Sequence, residues 1–397
     1  MEALPAIVAA LCIAAVVSYF LTPLAIRFAP RLAAIDVPSD ARRVHRQPIP
    51  RTGGLAVAAT FVGVGLAGIV GNEIFDFAPP LRSVRAPEVY ALFAGVAVGG
   101  LLGYLDDRLQ LRARWQFVFQ IVLAAIALLA SIRIERLPNP FGERSFELVG
   151  SPVGEAAAIA VTTLWVMGMI NSANFVDGLD GLLAGIALIA AGTLGLISLI
   201  DPANPQPLVA LLCALLAGSL LGFLPYNFHP ARVFIGTAGV FAVGYALAVL
   251  SVLGTAKVAV ALLVLGVPVI DAFWIIIRRL NSKRSPFSAD RGHFHHRLLD
   301  LGLTHRQAVL MIYGICLVLA VLSLLLSGRG QISTFLVVVL AFGLVLYLMT
   351  RRAGQSLERE SYPDDADVDA EIVSSAAVKH DGKAPRSEFR RHGQERA

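Results

Sequence analysis

Long apolar segments alternate with short polar loops along the first 350 residues of the chain. Each segment is roughly twenty residues long, the length that an α-helix needs to cross a bilayer. The segments lack the two-residue alternation of barrel strands, and only helices and closed barrels satisfy a backbone in lipid. The pattern therefore predicts an all-α polytopic membrane protein with about eleven transmembrane helices. The predicted spans are approximately 4–26, 53–70, 88–105, 115–132, 155–170, 180–200, 208–224, 238–254, 258–277, 307–327 and 332–350.

The composition supports a membrane protein and excludes a soluble enzyme of this length. Hydrophobic residues make up 56% of the chain and charged residues 15%, with a mean hydropathy of +0.71. Soluble domains average about 25% charged residues. The net charge of +5 predicts no nucleic-acid partner, because the basic residues share no soluble face. The bilayer is the first partner that the sequence predicts.

The Lys and Arg residues of the loops predict the orientation of the chain. Counted by span parity, 17 lie on one face and 7 on the other, and the richer face is cytoplasmic by the positive-inside rule. The N-terminus of this multi-pass protein of the cell (inner or plasma) membrane is then outside, and the C-terminus is cytoplasmic. Residues 351–397 lack apolar periodicity, which predicts a disordered cytoplasmic tail after a transmembrane domain of residues 1–350. Two alternating runs around a Pro/Gly turn within residues 132–155 predict a small periplasmic hairpin.

Five polar clusters lie at the ends of predicted spans, and span parity places all five on the cytoplasmic face. Ordinary loops would distribute acidic pairs and histidine clusters over both faces. A shared face therefore favours one composite site with a cytoplasmic opening. The clusters are residues 42–54, 103–108, 171–181, 222–236 and 290–297.

The side chains of these clusters are typical of phosphoryl transfer. Asp106 and Asp107 are adjacent carboxylates that would repel each other near a bilayer without a compensating cation. Asn174, Asp177 and Asp180 add oxygen ligands, and such ligands without a thiolate favour Mg²⁺, or Mn²⁺ in its place. A metal with a cationic rim suits the transfer of a phosphoryl group between two anionic substrates. The donors for phosphate oxygens are Arg42, Arg43, Arg51, His293, His295, His296 and Arg297.

Four of the five clusters also have a structural interpretation. The Asp106–Asp107 pair could be a solvated helix end, and the histidine string could be a solvated basic loop. Residues 177–181 could form a turn and helix cap, or begin a helix that places Asp177 and Asp180 on one face. The Gly53–Gly54 pair could serve helix packing alone. The shared face of all five clusters favours a common site.

With these motifs in this order, the chain resembles the polyprenyl-phosphate N-acetylhexosamine-1-phosphate transferases over about residues 1–350. Matching strings lie at residues 106–108, 171–182, 222–236 and 293–297, and the second reads Asn-x-x-Asn-x-x-Asp-Gly-x-Asp-Gly-Leu. The resemblance implies that N-acetylhexosamine 1-phosphate passes from a UDP-sugar to a C55-like polyprenyl phosphate, with Mg²⁺ and release of UMP, as the first step of a cell-envelope glycopolymer. The His-x-His-His-Arg string is similar to the branch that uses UDP-N-acetylglucosamine.

The resemblance also implies roles for individual residues. The expected catalytic residues are Asp106, Asp107, Asp177 and Asp180. The expected metal ligands are Asn174, Asp107, Asp177 and Thr237. The expected substrate-binding residues are Arg42, Arg43, His45, Asn171, Asn227, His293, His295, His296 and Arg297. UDP-N-acetylhexosamine and polyprenyl phosphate are the expected small partners, and a homodimer is a further expectation.

Two positions depart from the family pattern. Where the family has an Asp that ligates Mg²⁺, directly after Gly236, this chain has Thr237. Where the family often has a Lys after the acidic pair, this chain has Gln116. The two changes together leave the local charge unchanged, which indicates either compensation or a catalytically degenerate member. A polytopic transporter is the remaining alternative, although transporter sites lie near the bilayer midplane rather than at span ends.

Overall fold

The computed structural model describes residues 3–36, 48–77, 87–137, 139, 146–201, 204–254, 266, 294–326, 333–341 and 343–344. The chain divides into two units, Met1–Gly343 and Leu344–Ala397. The predicted tail at residues 351–397 lies outside the described residues, as does the predicted span at 258–277 apart from Gly266.

Helices dominate the described residues, and eight are long and apolar enough to cross a membrane. The predicted all-α polytopic architecture is therefore confirmed, and nine of the eleven predicted spans coincide with described helices. The total number of spans and their orientation stay predictions. The helices are α1 (Leu4–Leu32), α2 (Gly53–Phe75), α3 (Pro87–Leu109), α4 (Ala113–Leu129), α5 (Pro152–Val176), α6 (Leu182–Ile200), α7 (Pro207–Asn227), α8 (Gly236–Leu253), α9 (Phe294–Asp300) and α10 (His305–Leu325). Residues 333–341 are also helical.

Two short antiparallel strand pairs lie between helices. β1 (Ile35–Asp36) pairs with β2 (Ile49–Pro50), and the sequence pattern did not predict this pair. β3 (Arg136–Leu137) pairs with β4 (Phe146–Glu147). The second pair confirms the predicted hairpin between the fourth and fifth spans, whereas its periplasmic location stays a prediction.

Helix α5 continues six residues beyond the predicted fifth span and ends at Val176. Asn171 and Asn174 are therefore helical. Residues 177–181 form a turn, and α6 begins only after Gly181, whose φ of +82° is readily adopted by glycine. The alternative in which a helix begins at Asp177 is wrong, and the turn is confirmed.

Helices α7 and α8 are the most buried of the candidate spans, and α1 lies along α7 through small residues. A Cβ added at Gly218 or Gly222 in α7 would overlap backbone atoms of α1. Within the same contact, Ser18 Oγ donates to the Ser219 carbonyl at 2.6 Å. Small residues let helix backbones approach closely in a membrane, where helix association lacks the hydrophobic driving force of water.

Helices α2 and α3 both contact the beginning of α8. A Cβ added at Gly54 in α2 would overlap the backbone of Gly239 in α8. The Gly54 N–H donates to the Ile235 carbonyl at 2.8 Å. A Cβ added at Gly103 in α3 would lie 2.5 Å from the Cα atom of Ala238. Packing is thus one role of the glycine pair in α2. The first turn of α8 lies close both to α2 and to the end of α3.

Candidate active site

Four of the five predicted clusters surround one polar cavity of about 660 Å³. The cavity lies where α3, α5 and α7 end and where α8 and α10 begin. Two loops complete its wall: the first site loop, residues 177–181, and the second site loop, residues 228–235. Seven residues that the sequence singled out line the cavity, namely Arg51, Asp107, Asn174, Asp177, Asp180, Asn227 and Thr237. Three further polar side chains join them, namely Asp36, His229 and His305.

Asp107 accepts hydrogen bonds from the first turn of α8. Its Oδ1 accepts from the Thr237 N–H at 3.0 Å, and its Oδ2 accepts from the Ala238 N–H at 3.1 Å. These N–H groups lack partners within their own helix and carry the positive end of its dipole, so they stabilise the carboxylate. Asp107 thereby joins α3 to α8 and places a negative charge at the cavity.

Arg51 is held beside this carboxylate by the β1–β2 pair. Its Nη2 lies 3.0 Å from Asp36 Oδ1 in β1, and its Nη1 lies 3.9 Å from Asp107 Oδ1. Gly236 allows this approach because its φ is +66° and a Cβ there would lie 2.7 Å from Asp107 Oδ2. The strand pair thus fixes a guanidinium next to the acidic side of the cavity.

Asp106 is not among the residues that line the cavity. Its Oδ2 accepts a hydrogen bond from Gln116 Nε2 of α4 at 3.0 Å. Its other carboxylate oxygen is buried and has no hydrogen-bond partner within the described part of the chain. Gln116, at the position where the family often has a Lys, therefore contacts the acidic pair as a neutral donor.

Asp177 is a cavity carboxylate that lies near two others, Asp107 and Asp180. Removal from water raises its pKa well above the ordinary value, and the negative charge of Asp107 raises it further. Arg51 lowers this pKa, and Asp180 raises it by a smaller amount than Asp107 does. A cation in the cavity would stabilise the ionised form of Asp177.

Asp180 is held at its backbone and at its carboxylate. Its Oδ2 lies 2.7 Å from His229 Nδ1 and accepts the Ala231 N–H at 3.1 Å. Its own N–H donates to His305 Nε2 at 2.9 Å. The two imidazole rings stack with centroids 4.2 Å apart and planes 15° apart. The group thus connects both site loops to α10.

Ligand atoms of Asp180, His229 and His305 lie within 4.8 Å of one another, close enough to suggest a metal site. The lone pairs of an imidazole lie in its ring plane, however, and the planes of two stacked rings are nearly parallel. Such lone pairs do not converge on one ion. His305 Nε2 also accepts a backbone N–H already. The three side chains therefore form a hydrogen-bonded network.

The sequence is similar to named proteins over most of its length. A sequence model of glycosyl transferase family 4 matches residues 89–255. The probable undecaprenyl-phosphate N-acetylglucosaminyl 1-phosphate transferase of Bacillus subtilis (strain 168) is 34% identical over 341 residues, which cover 84% of this chain and 89% of the relative. The chain belongs to glycosyl transferase family 4.

Two further relatives of this family 4 protein have names of the same kind. The decaprenyl-phosphate N-acetylglucosaminephosphotransferase of Mycobacterium leprae (strain TN) is 33% identical, covering 85% of this chain and 89% of the relative. The undecaprenyl-phosphate alpha-N-acetylglucosaminyl 1-phosphate transferase of Yersinia pestis is 30% identical, with coverages of 80% and 83%. The predicted resemblance is confirmed, and a transporter is not favoured.

Some predicted site residues of this family 4 protein lie away from the cavity. Asn171 Nδ2 donates to Gln120 Oε1 at 2.7 Å, and Gln120 Nε2 donates back to Asn171 Oδ1 at 3.3 Å. This reciprocal pair joins α5 to α4, and Asn171 is not a lining residue. Arg297 lies half-buried on α9 and does not line the cavity either. The roles predicted for these residues stay predictions.

Other predicted substrate-binding residues cannot be placed around the cavity, because they lie outside the described part of the chain. Those residues are Arg42, Arg43, His45 and His293. His295 and His296 belong to α9, but their side chains are outside the description.

Three cavity residues of this family 4 protein were missed by sequence reasoning. His229 lies within a string that matched the family, yet its type and spacing did not single it out. Asp36 belongs to a strand pair that hydropathy does not predict. His305 carries only the weak signal of opening α10 after Thr304, which caps that helix.

Proposed function

We propose that this protein transfers N-acetylglucosamine 1-phosphate from UDP-N-acetylglucosamine to a polyprenyl phosphate as the first step of a cell-envelope glycopolymer. A phosphate oxygen of the lipid bonds to the β-phosphorus of the UDP-sugar, and the bond from that phosphorus to the UMP oxygen breaks. UMP leaves with the electron pair. The observation that carries the proposal is the polar cavity at the ends of membrane-spanning helices. A lipid phosphate from the bilayer and a nucleotide from water can meet there.

The proposed cofactor is Mg²⁺, with Mn²⁺ as a substitute. The residues present fit such an ion, because burial and the charge of Asp107 both disfavour ionised Asp177, and Mg²⁺ prefers oxygen ligands. Asp107, Asn174 and Asp177 would hold the ion. When bound, it would neutralise negative charge on the reacting phosphates. Thr237, also expected as a ligand, donates its N–H to Asp107, which supports a role as a hydrogen-bond donor.

The chain itself supplies charge and orientation. Arg51 faces the cavity from the β1–β2 pair, and a guanidinium suits phosphate oxygens because its donors are planar and paired. The first N–H groups of α8 donate to the Asp107 carboxylate and favour its ionised form. A lipid phosphate already carries negative charge at neutral pH. Its attack therefore requires no general base, and Asp107 and Asp177 act through their charge.

Membranes that contain the protein should transfer label from radiolabelled UDP-N-acetylglucosamine into an organic-extractable lipid when polyprenyl phosphate and Mg²⁺ are present. UMP should appear in equal amount. Membranes without the protein are the control. Absence of transfer from any UDP-N-acetylhexosamine would favour the catalytically degenerate alternative.

The same assay tests the proposed cytoplasmic opening of the cavity, which rests on the 17-to-7 distribution of basic residues. A UDP-sugar does not cross sealed membranes. Inverted vesicles should incorporate label directly, and right-side-out vesicles should do so only after permeabilisation. The reverse pattern would show that the chain is oriented with its N-terminus in the cytoplasm.

Thr237 and Gln116 allow a test of charge at the metal site. Thr237→Asp places a second carboxylate next to Asp107, so the Mg²⁺ concentration at half-maximal turnover should fall about tenfold, equivalent to about 1.4 kcal/mol. Gln116 contacts Asp106 as a neutral donor, and Gln116→Lys would offset the added negative charge. The double change should outperform either single change and show positive coupling.

The measurement is a Mg²⁺ titration of turnover in the four proteins of this cycle. Thr237→Asn is the matched control, because it has the size of Asp without its charge. An equal shift in the Asp and Asn variants would show that charge at residue 237 does not act on the metal. Activity confined to the double variant would identify the natural chain as a degenerate member.

A further inference from the structure

His305 is the first residue of α10, and it contacts the site through the backbone of the first site loop. Its Nε2 accepts the Asp180 N–H at 2.9 Å. A residue in a turn has no helical partner for its N–H. The hydrogen bond to His305 therefore satisfies the Asp180 N–H and restrains the first site loop. The acceptor comes from a residue 125 positions away in the sequence. The contact is therefore made only when α10 is in place.

The imidazole of His305 also supports the other side of Asp180. It stacks on His229, whose Nδ1 lies 2.7 Å from Asp180 Oδ2. The Arg306 guanidinium donates to the His229 carbonyl at 3.1 Å. One turn of α10 therefore restrains the backbone of Asp180 directly and its carboxylate through His229.

A second contact lies two turns further along α10. The Tyr313 hydroxyl donates to the Gly181 carbonyl, the residue that follows Asp180. A Cβ at Gly185 would overlap the Tyr313 ring, so glycine there lets the ring reach the loop. Two residues of α10 thus bond to the backbone of the same turn: His305 accepts the N–H of Asp180, and Tyr313 donates to the carbonyl of Gly181.

We propose that His305 is a positioning residue that sets the first site loop, and with it the Asp180 carboxylate, in the geometry that binds the UDP-sugar. Tyr313 supports the same loop through its hydrogen bond to the Gly181 carbonyl. The inference rests on the proposed function, since it names a determinant of donor-substrate affinity in that reaction. His305 acts through Asp180, and its Nε2 must carry a lone pair to accept the N–H.

Two variants separate the hydrogen bond from the ring. His305→Phe keeps a flat ring that can stack on His229 and removes the acceptor. His305→Gln removes the ring and keeps an acceptor oxygen. We expect His305→Phe to raise the KM for UDP-N-acetylglucosamine about tenfold, because a loop N–H is left unsatisfied. The KM for polyprenyl phosphate should not change. His305→Gln should recover most of the lost affinity.

The matched control is Gln307→Ala. Gln307 forms the capping box of α10 with Thr304, so this change weakens the same helix end without touching Asp180. It should leave both KM values unchanged. If His305→Phe proves too unstable to assay, Tyr313→Phe removes only the hydroxyl that bonds Gly181, and it should raise the same KM.

The outcomes are distinct. An inactive wild type contradicts the proposed function itself. An active wild type whose His305→Phe variant keeps its KM for the UDP-sugar overturns the positioning role. So does an equal rise of both KM values, or a rise of the same size in Gln307→Ala, because each would show that α10 acts only as structural support.

Discussion

Asp177→Asn should lower turnover at least about a hundredfold, a loss typical of removing a preorganised electrostatic group from an active site. The carboxylate lies in the cavity wall beside Asp107, and its ionised form is disfavoured by burial and by that neighbour. A cation bound in the cavity would offset both effects, and binding that cation is the role proposed for this carboxylate. The amide has nearly the same shape and no charge, so the variant tests charge alone.

The same change should leave the folded protein as stable as the wild type or more so at neutral pH. The folded-state pKa of Asp177 is raised, so ionising this carboxyl opposes folding above its unfolded pKa. The amide removes that opposition. Activity and thermal stability should therefore change in opposite directions.

Turnover and melting temperature of purified protein are the measurements. Asp201→Asn is the matched control, because Asp201 is the C-cap of α6 and does not line the cavity. It should leave turnover unchanged. Near-wild-type turnover in Asp177→Asn would remove this residue from the active site.

Asp107→Asn is a less specific test of the same chemistry. Both oxygens of Asp107 accept N–H groups at the start of α8, and an amide nitrogen cannot accept. The variant therefore loses a helix-end hydrogen bond together with its charge. One interpretation of the sequence was that this pair is a solvated helix end without a structural role. Asp107 does not fit that interpretation.

The membrane-spanning helices were predictable because length and apolarity are local properties of a segment. Nine predicted spans coincide with described helices, and only their ends were uncertain. Helix α5 shows why, since its last turns carry Asn171 and Asn174 and are too polar for a hydropathy window to include. The backbone continues as a helix up to Val176, and the turn that begins at Asp177 ends it.

The meeting of distant clusters was also predictable, because span parity places them on one face. Which of two adjacent residues contacts the cavity was not predictable. Asp107 reaches the cavity, whereas Asp106 contacts Gln116 on α4. Which of two neighbouring side chains faces a cavity depends on the rotation of the helix, and only its packing partners set that rotation.

The histidines of the network were missed for a similar reason. His229 and His305 are 76 positions apart, and neither belongs to a metal-ligand spacing. Their stacking depends on how α10 packs against the second site loop. Sequence reasoning assigned histidine chemistry to His45 and to the string at residues 293–297. His45 and the side chains of residues 293–296 lie outside the described part of the chain.

Gly54→Ala should destabilise the protein by about 3 kcal/mol or more, at the upper end of the usual cost of overpacking. The added Cβ would overlap the backbone of Gly239 and lie 2.5 Å from the Ile235 carbonyl oxygen. These are backbone atoms of α8 and of the residue that precedes it, and they cannot rotate away as a flexible side chain can. The beginnings of α2 and α8 must therefore separate.

That separation should also lower turnover, because the first N–H groups of α8 hold the Asp107 carboxylate. Gly63→Ala is the matched control. It is the same substitution in the same helix, and a Cβ at Gly63 meets nothing within 4 Å among the described residues. Alanine is the better helix former by about 1 kcal/mol in water, so this variant should be neutral or stabilised.

Melting temperature in one detergent and turnover per folded molecule distinguish the two variants. Equal melting temperatures would show that α2 and α8 do not meet through Gly54 and Gly239. A destabilised Gly54→Ala protein with unchanged turnover would show that the contact supports the fold without positioning Asp107. Loss of both, with Gly63→Ala unchanged, is the result expected if the close approach of these two helices builds the acidic side of the site.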